Sequence, residues 1–171
     1  MAKKTITFID LFAGIGGFHL AFHNLGAKCV FVSEWDKAAR ETYQKNFEKI
    51  QPELFALETI DQTFAGDITK VLPKSIPDFD IITGGFPCQP FSQAGLKKGF
   101  NEARGTLFFD VANIIKEKQP SAFFLENVRG LLTHDGGRTF ATIRRILTED
   151  LGYSFYHKVI KASNYGVPQH R

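Results

Sequence analysis

One stretch constrains the fold more than any other: Thr5-Ile6-Thr7-Phe8-Ile9-Asp10-Leu11-Phe12-Ala13-Gly14-Ile15-Gly16-Gly17. A short β-branched and aromatic run passes into a turn with glycine at 14, 16 and 17. A helical pattern over 16–25 comes next and stops at Gly26. Strand, glycine turn and helix in that order open a βαβ unit. The rest of the chain keeps the alternation. Strands are predicted at 28–33, ending near Gly66-Asp67, at 79–83, at 121–126 and at 153–162. Helices are predicted from Ala38 to Phe47, over 106–118 before Pro120, and from Phe140 to a close at Gly152. Residues 50–64 fit neither period. Such alternation specifies an α/β domain with a mainly parallel sheet. No internal repeat, low-complexity tract or linker interrupts it, so residues 1–171 are expected to form one domain.

Composition removes other classes. Of 171 residues, 43% are hydrophobic and 23% charged, which is globular rather than disordered or collagen-like. No apolar run approaches the roughly 18 residues that a bilayer requires. The amino terminus lacks a small-residue cleavage site, and Asp10 interrupts its apolar stretch. A cytoplasmic location is therefore expected, with no membrane partner. Cys29 and Cys88 are far apart and form no CxxC pair, so neither a disulfide scaffold nor a metal site is indicated. The net charge of +3 permits a polyanionic partner without demanding one.

Two ends of chemistry stand out. At the first, Glu34 lies twenty positions after Gly14, at the end of the second predicted strand. An acid there can accept from ribose hydroxyls. A dinucleotide fingerprint needs glycine at position 19, where His19 stands, so a nucleoside without pyrophosphate fits better than NAD. Trp35 can stack on an adenine face. Asp67 can accept from the adenine amino group, or can be an ordinary capping aspartate. A tight strand–helix turn with no ligand is the alternative for the glycines.

At the second end, Gly84-Gly85-Phe86-Pro87-Cys88-Gln89-Pro90-Phe91-Ser92 comes after the fourth strand. A cysteine between prolines has a restricted backbone, which suits a positioned nucleophile. A lone cysteine is otherwise an inert small core residue, which describes Cys29, inside a strand. Glu126 closes the run Ala122-Phe123-Phe124-Leu125, where it is expected to be partly desolvated at the ligand edge of the sheet. Its alternative is a capping or salt-bridged acid. The loop Ser92–Gly105, with three glycines and three cations, suits a lid over a phosphate backbone, or a plain surface loop.

Taken in order, DLFAGIGGF, EWD, GDI, GGFPCQPFS, GTLFFD, LENVRG and YGVPQHR resemble the motifs of bacterial DNA (cytosine-5) methyltransferases along nearly the whole chain. The resemblance implies a Rossmann-like, three-layer α/β/α methyltransferase fold with an S-adenosyl-L-methionine site and S-adenosyl-L-homocysteine as product. Phe12, Gly14, Gly16 and Gly17 would line that site, with Glu34 on the ribose and Trp35 on the adenine. Asp67 and Ile68 would read the adenine edge, and Pro87 and Leu107 would approach from the reactive side. Cys88 matches the family's nucleophile, Glu126 its acid and Arg171 the first arginine of its Gln-x-Arg-x-Arg motif. The implied chemistry adds the Cys88 thiolate to carbon 6 of a cytosine, which makes carbon 5 enamine-like. Glu126 would hold the N3 and amino edge. Carbon 5 takes the methyl group, and loss of its proton with expulsion of the thiol restores the ring. A stacked base is out of reach, so the cytosine in double-stranded DNA must be flipped out.

In that family the chain continues past the position of Arg171, through a second arginine, an inserting strand, a target-recognition region and a closing helix. The expectation is a fold truncated before its last strand. Either a second polypeptide carries the missing C-terminal half or the chain is a piece of a longer enzyme. Without the inserting strand, residues 153–162 would lack a sheet neighbour. Three further readings compete: a tRNA cytosine-5 methyltransferase, an inactive cofactor-binding remnant or subunit, and a Rossmann oxidoreductase, against which His19 and the Pro-Cys-Gln loop argue.

Overall fold

A computed structural model describes residues 4–58, 60–88 and 106–169. The expected Ser92–Gly105 lid and Arg171 lie outside the described residues, as do Gln89 and Pro90. Packing divides the chain into two units, Met1–Asn127 and Val128–Arg171.

The first unit is built on a parallel five-stranded sheet. Its strands are β1 (Thr7–Leu11), β2 (Lys28–Ser33), β3 (Phe64–Ala65), β4 (Ile81–Gly85) and β5 (Ala122–Glu126), in the order β3-β2-β1-β4-β5. Its helices are α1 (Gly17–Asn24), α2 (Lys37–Phe47), the single turn α3 (Ile60–Thr63) and α4 (Leu107–Lys118). β4 starts two residues later than its sequence pattern suggests and takes in Gly84 and Gly85. The ambiguous stretch 50–64 resolves into a 3₁₀ turn at Pro52–Phe55, α3 and the start of β3. α4 stops where expected, with Gln119 in the left-handed region (φ 47°) ahead of Pro120.

β1 and β2 explain how the core closes. Phe8 pairs with Cys29 and Ile9 with Phe31, so Val30 is an extra residue on β2. The Gln51 carboxamide fills the irregularity: it accepts from the Cys29 N–H at 3.3 Å and donates to the Cys29 carbonyl. One sheet face carries Phe8, Cys29, Val32 and Phe64, which cluster with Tyr43 and Phe47 of α2. Phe124 of β5 meets Phe18 and Phe22 of α1 on the same face, with centroids 5.6 and 6.2 Å away. Ile9, Leu11, Phe31 and Ile82 on the other face are also buried, and α4 buries Phe108, Val111, Ala112, Ile114 and Ile115. Apolar strands buried on both faces are the mark of a parallel sheet.

The second unit contains α5 (Arg138–Arg145), which continues as a wide turn over Ile146–Asp150. His134 Nδ1 meets the Thr139 hydroxyl at 2.7 Å near its start, and Arg145 pairs with Asp150 at 2.9 Å at its end. Gly152 closes it at φ 77°. The strand expected over 153–162 is not formed. Residues 153–161 have no regular secondary structure, and Phe155 and His157 pack instead on Phe140, with centroids 5.8 and 4.9 Å away. A strand pattern becomes a strand only where a neighbour accepts its backbone hydrogen bonds. Among the described residues no strand pairs with this stretch.

Candidate active site

β1 and β4 are neighbours in the sheet although β2 and β3 separate them in the chain. The strand order reverses between them, which opens a crevice at their carboxyl ends. Gly84 makes that approach possible. A Cβ there would lie 3.1 Å from the Leu11 carbonyl oxygen.

The turn after β1 is held by main-chain hydrogen bonds. The Ala13 N–H donates to the Ser33 carbonyl at 3.1 Å and the Gly16 N–H to the Ala13 carbonyl at 2.9 Å. Phe12 takes a left-handed conformation (φ 54°), which is costly for a residue with a Cβ and recurs at functional turns. Gly16 (φ 97°) is required by packing, because a Cβ would sit 2.1 Å from the Phe47 ring. Gly14 and Gly17 differ from it: a Cβ on either meets nothing within 4 Å. Their backbone faces open space.

Glu34, just past the end of β2, is only 7% exposed. Its Oε2 accepts the Gly14 N–H and its Oε1 the Asp36 N–H, each at 2.8 Å. The carboxylate thus ties the turn after β1 to the end of β2, and each oxygen keeps a further lone pair. Trp35 beside it is 82% exposed. Asp36 caps α2 by accepting the Ala39 N–H at 2.8 Å. After β3, Asp67 accepts from the Thr69 hydroxyl at 2.8 Å and from its N–H at 3.0 Å, which hold the carboxyl below the usual aspartate range. Asp67 thus caps the turn that follows, and the Ile68 side chain next to it is buried. Leu107 opens α4, and one turn later burial, helped by the charge of Asp67, raises the Asp110 carboxyl.

The reactive end is built on β4 and β5. Gly85 and Glu126 are register partners, and a Cβ on Gly85 would lie 3.1 Å from Glu126 Oε2. Glycine at 85 thus leaves room for the carboxylate. The Asn127 carboxamide donates to the Phe86 carbonyl at 2.6 Å, two residues before Cys88. The Phe86 ring is buried on Phe108, 5.4 Å between centroids. Pro87 is exposed and Cys88 half-buried. Glu126 is exposed, so the partial desolvation expected for it is not found. The run before it does not enclose it, because β5 is the last strand of the described sheet and Ala122, Phe124 and Glu126 are all exposed.

Four residues take parts in this edge that their sequence context does not announce. Asp10 is fully buried, accepts from the Thr83 hydroxyl at 3.1 Å and from the His19 N–H, and leaves Oδ2 without a partner. Burial drives its carboxyl up to about 7. The second is Thr83 itself, whose single hydroxyl proton is shared between Asp10 and the Ile9 carbonyl, the latter at 3.0 Å. The third is Asn127, and the fourth is Arg40 of α2. A lone acid in an apolar strand is a usable signal for Asp10. Arg40 looks like any helix-surface cation. His19 is also explained: its ring lies flat on Phe47 with centroids 3.9 Å apart and bonds the Tyr43 hydroxyl. A glycine at 19 would leave that volume empty. Cys29 is fully buried, as expected of a core cysteine, and burial pushes its thiol up.

Among the described residues no three metal-binding side chains cluster, and no helix is long and apolar enough to cross a membrane. An open parallel sheet with a glycine turn, an acid after β2 and a ligand crevice at the strand reversal defines a Rossmann-like methyltransferase fold. The solved structure of S. pombe Dnmt2 methyltransferase shares it, with a TM-score of 0.69 at 22% identity over 97% of this chain and 48% of that one. The chain belongs to the C-5 cytosine-specific DNA methylase family, whose model matches residues 6–171. It is 56% identical to the type II methyltransferase M.SsoII of Shigella sonnei, over 95% of this chain and 40% of that protein. It is 53% identical to M.HpaII of Haemophilus parainfluenzae, over 99% of this chain and 44% of that protein. The chain thus spans less than half the length of these relatives.

Proposed function

We propose that this chain is the cofactor-binding and nucleophile-bearing part of a type II DNA cytosine-5 methyltransferase, acting in the cytoplasm within a restriction–modification system. In this reading its 171 residues serve one catalytic domain. The observation that supports the reading is the register of β4 and β5: Gly85, three residues before Cys88, pairs with Glu126 at the sheet edge where β1 also ends.

S-adenosyl-L-methionine supplies an electrophilic methyl group when bound. The residues present fit it: Gly14 and Gly17 leave open backbone, Glu34 keeps lone pairs for ribose hydroxyls, and Trp35 offers a free indole face. Phe12 and Gly16 shape the turn, Asp67 and Ile68 face the adenine edge, and Pro87 and Leu107 border the methyl end. The Cys88 sulfur adds to carbon 6 of a flipped-out cytosine while Glu126 binds its N3 and amino edge. Carbon 5 would then take the methyl group as the sulfonium carbon–sulfur bond of the donor breaks and S-adenosyl-L-homocysteine leaves; loss of the carbon-5 proton to a base, with expulsion of the Cys88 thiolate, would restore the ring. Double-stranded DNA is the substrate. The remaining length of the relatives, in the same or a second polypeptide, supplies target recognition.

The test is transfer of labelled methyl from S-adenosyl-L-methionine to duplex DNA, with the chain alone and with the C-terminal part of a relative added in trans. Label on cytosine carbon 5 supports the reading. Label on tRNA but not on DNA replaces the substrate, and cofactor binding without transfer in either case replaces the enzyme with a binding subunit.

A further inference from the structure

Arg40 lies in the first turns of α2, and its N–H continues the helix by donating to the Asp36 carbonyl at 2.9 Å. Its side chain turns back onto the sheet. Nη1 donates to the Glu34 carbonyl at 3.2 Å and Nη2 to the Phe64 carbonyl at 3.0 Å. The guanidinium carbon stands 4.3 Å from the centre of the Phe64 ring. Gly66 flanks it, where a Cβ would be 3.7 Å from Nη1. One planar group therefore bridges a main-chain oxygen just after β2 and one at the start of β3, and stacks on an aromatic face.

These two oxygens matter because each belongs to a segment that the cofactor would touch. Glu34 is itself the ribose-binding acid of the proposed function, with Trp35 next to it. Phe64 opens β3, a strand of two residues that pairs only with β2 and leads within three residues to Asp67, with Ile68 beyond it. Two other bonds join these ends, from the Glu34 N–H to the Ala65 carbonyl at 3.1 Å and from the Ser33 hydroxyl to the Gly66 carbonyl at 2.8 Å. Both lie on the strand side. Arg40 adds the bond from the helix side and locks α2, β2 and β3 to one another at this corner. A guanidinium can bridge two acceptors and stack at once, whereas an ammonium is a single point of charge.

We infer that Arg40 is a positioning residue for the cofactor's nucleoside: by bridging the Glu34 and Phe64 carbonyls it fixes the spacing between the ribose-binding and adenine-facing edges. It acts through these edges. The inference rests on the S-adenosyl-L-methionine reading above.

The experiment uses the full chain and titrates S-adenosyl-L-homocysteine and, separately, adenosine, by calorimetry and by the emission of Trp35, the only tryptophan. Arg40→Ala weakens both ligands by the same factor, about tenfold, the scale of lost hydrogen bonds to a charged group. Arg40→Lys recovers only part of that loss. Far-UV spectra and melting temperature stay close to wild type, and in a methyl-transfer assay the Arg40→Ala cofactor KM rises while kcat holds. Unchanged ligand affinity in Arg40→Ala overturns the inference, as does full rescue by Arg40→Lys. So does a loss of affinity that merely tracks a loss of folded protein. If the wild-type chain binds neither ligand, the cofactor reading itself falls and takes this inference with it. If wild type binds and Arg40→Ala binds equally well, only the role of Arg40 falls.

Discussion

The carboxyl ends of β1 and β2 and those of β4 and β5 lie on one sheet edge, yet they are built differently. At β1 and β2, Glu34 is buried, both its oxygens hold main-chain N–H groups, and the neighbouring turn is held by its own backbone bonds. At β4 and β5 the side chains are presented rather than enclosed: Glu126 is exposed and Cys88 half-buried. A region that recognises a nucleoside gains from being preorganised, since its donors and acceptors need no rearrangement on binding. Under the proposed function the second region must admit a flipped base and form and break a covalent bond, which requires accessible reacting groups.

The sharpest break of that comparison is Cys88→Ser. Replacing a thiol nucleophile by a hydroxyl should lower methyl transfer by about 10³-fold or more while cofactor affinity stays within about twofold. Parallel loss of cofactor affinity would mean that the two ends are not separate devices.

The next effect concerns the interior under the β1 turn. Burial raises Asp10 to about 7 and lowers His19 to about 4, with the charge of His23 adding to the latter. The folded chain therefore holds the Asp10 proton more tightly than the unfolded chain does. Asp10's contribution to stability is complete below about pH 4 and is lost as pH rises towards 7. His19 runs the other way: the folded chain binds its proton less tightly, so that contribution appears as pH rises from about 4 to 6.5. The two nearly cancel in wild type. In Asp10→Asn the falling part is gone, so its stability relative to wild type should climb by up to about 4 kcal/mol between pH 4 and 7. Chemical denaturation at several pH values checks this, and a variant-to-wild-type difference that is flat with pH refutes it.

Gly16→Ala tests the packing beneath the same turn. The new methyl would sit 2.1 Å from the Phe47 ring at φ 97°, so strain and overpacking together should cost about 3 kcal/mol. Gly14→Ala, at φ 55° with no atom near its Cβ, should cost only about 1 kcal/mol of stability and register in cofactor affinity instead. Equal melting temperatures for the two variants would erase the distinction between a glycine kept for packing and one kept for open space.

Legibility in the sequence divides along the same line. The β1 turn is legible because glycine spacing and an acid twenty residues on are backbone requirements, and these are written directly into residue types. The parallel sheet is legible because strand-like and helix-like segments alternate along the chain. Arg40 and Asn127 are not, because their value lies in reaching main-chain carbonyls on other strands, and no local pattern marks that. The strand expected at 153–162 fails for the opposite reason. Its local pattern is real, but strand formation is decided by a neighbour that lies elsewhere in the fold, and none of the described residues pairs with it. Glu126 stands on β5 as expected but is more exposed than expected, since a run of apolar residues does not say whether its strand is flanked.

The smallest expected effect bears on how the reactive end is held at all. Glu34 ties two segments through two N–H groups. Asn127 ties the Phe86-Pro87-Cys88 segment through the hydrogen bond at 2.6 Å from its carboxamide to the Phe86 carbonyl. That bond joins the first residue after β5 to the first after β4, so it sets how the end of β4 leads into Pro87 and Cys88. Asn127→Ala removes the donor and takes this bond from the carbonyl. Loosening a nucleophile by a fraction of an ångström lowers the rate rather than abolishing it. We expect kcat for methyl transfer to fall about tenfold, equivalent to about 1.4 kcal/mol, with the cofactor dissociation constant unchanged. Asn127→Asp keeps the shape but offers an acceptor to an acceptor, and should be at least as slow as Asn127→Ala. A faster Asn127→Asp would show that the side chain works by filling space rather than by donating, and would remove this polar tie between the end of β5 and the segment that leads to Cys88.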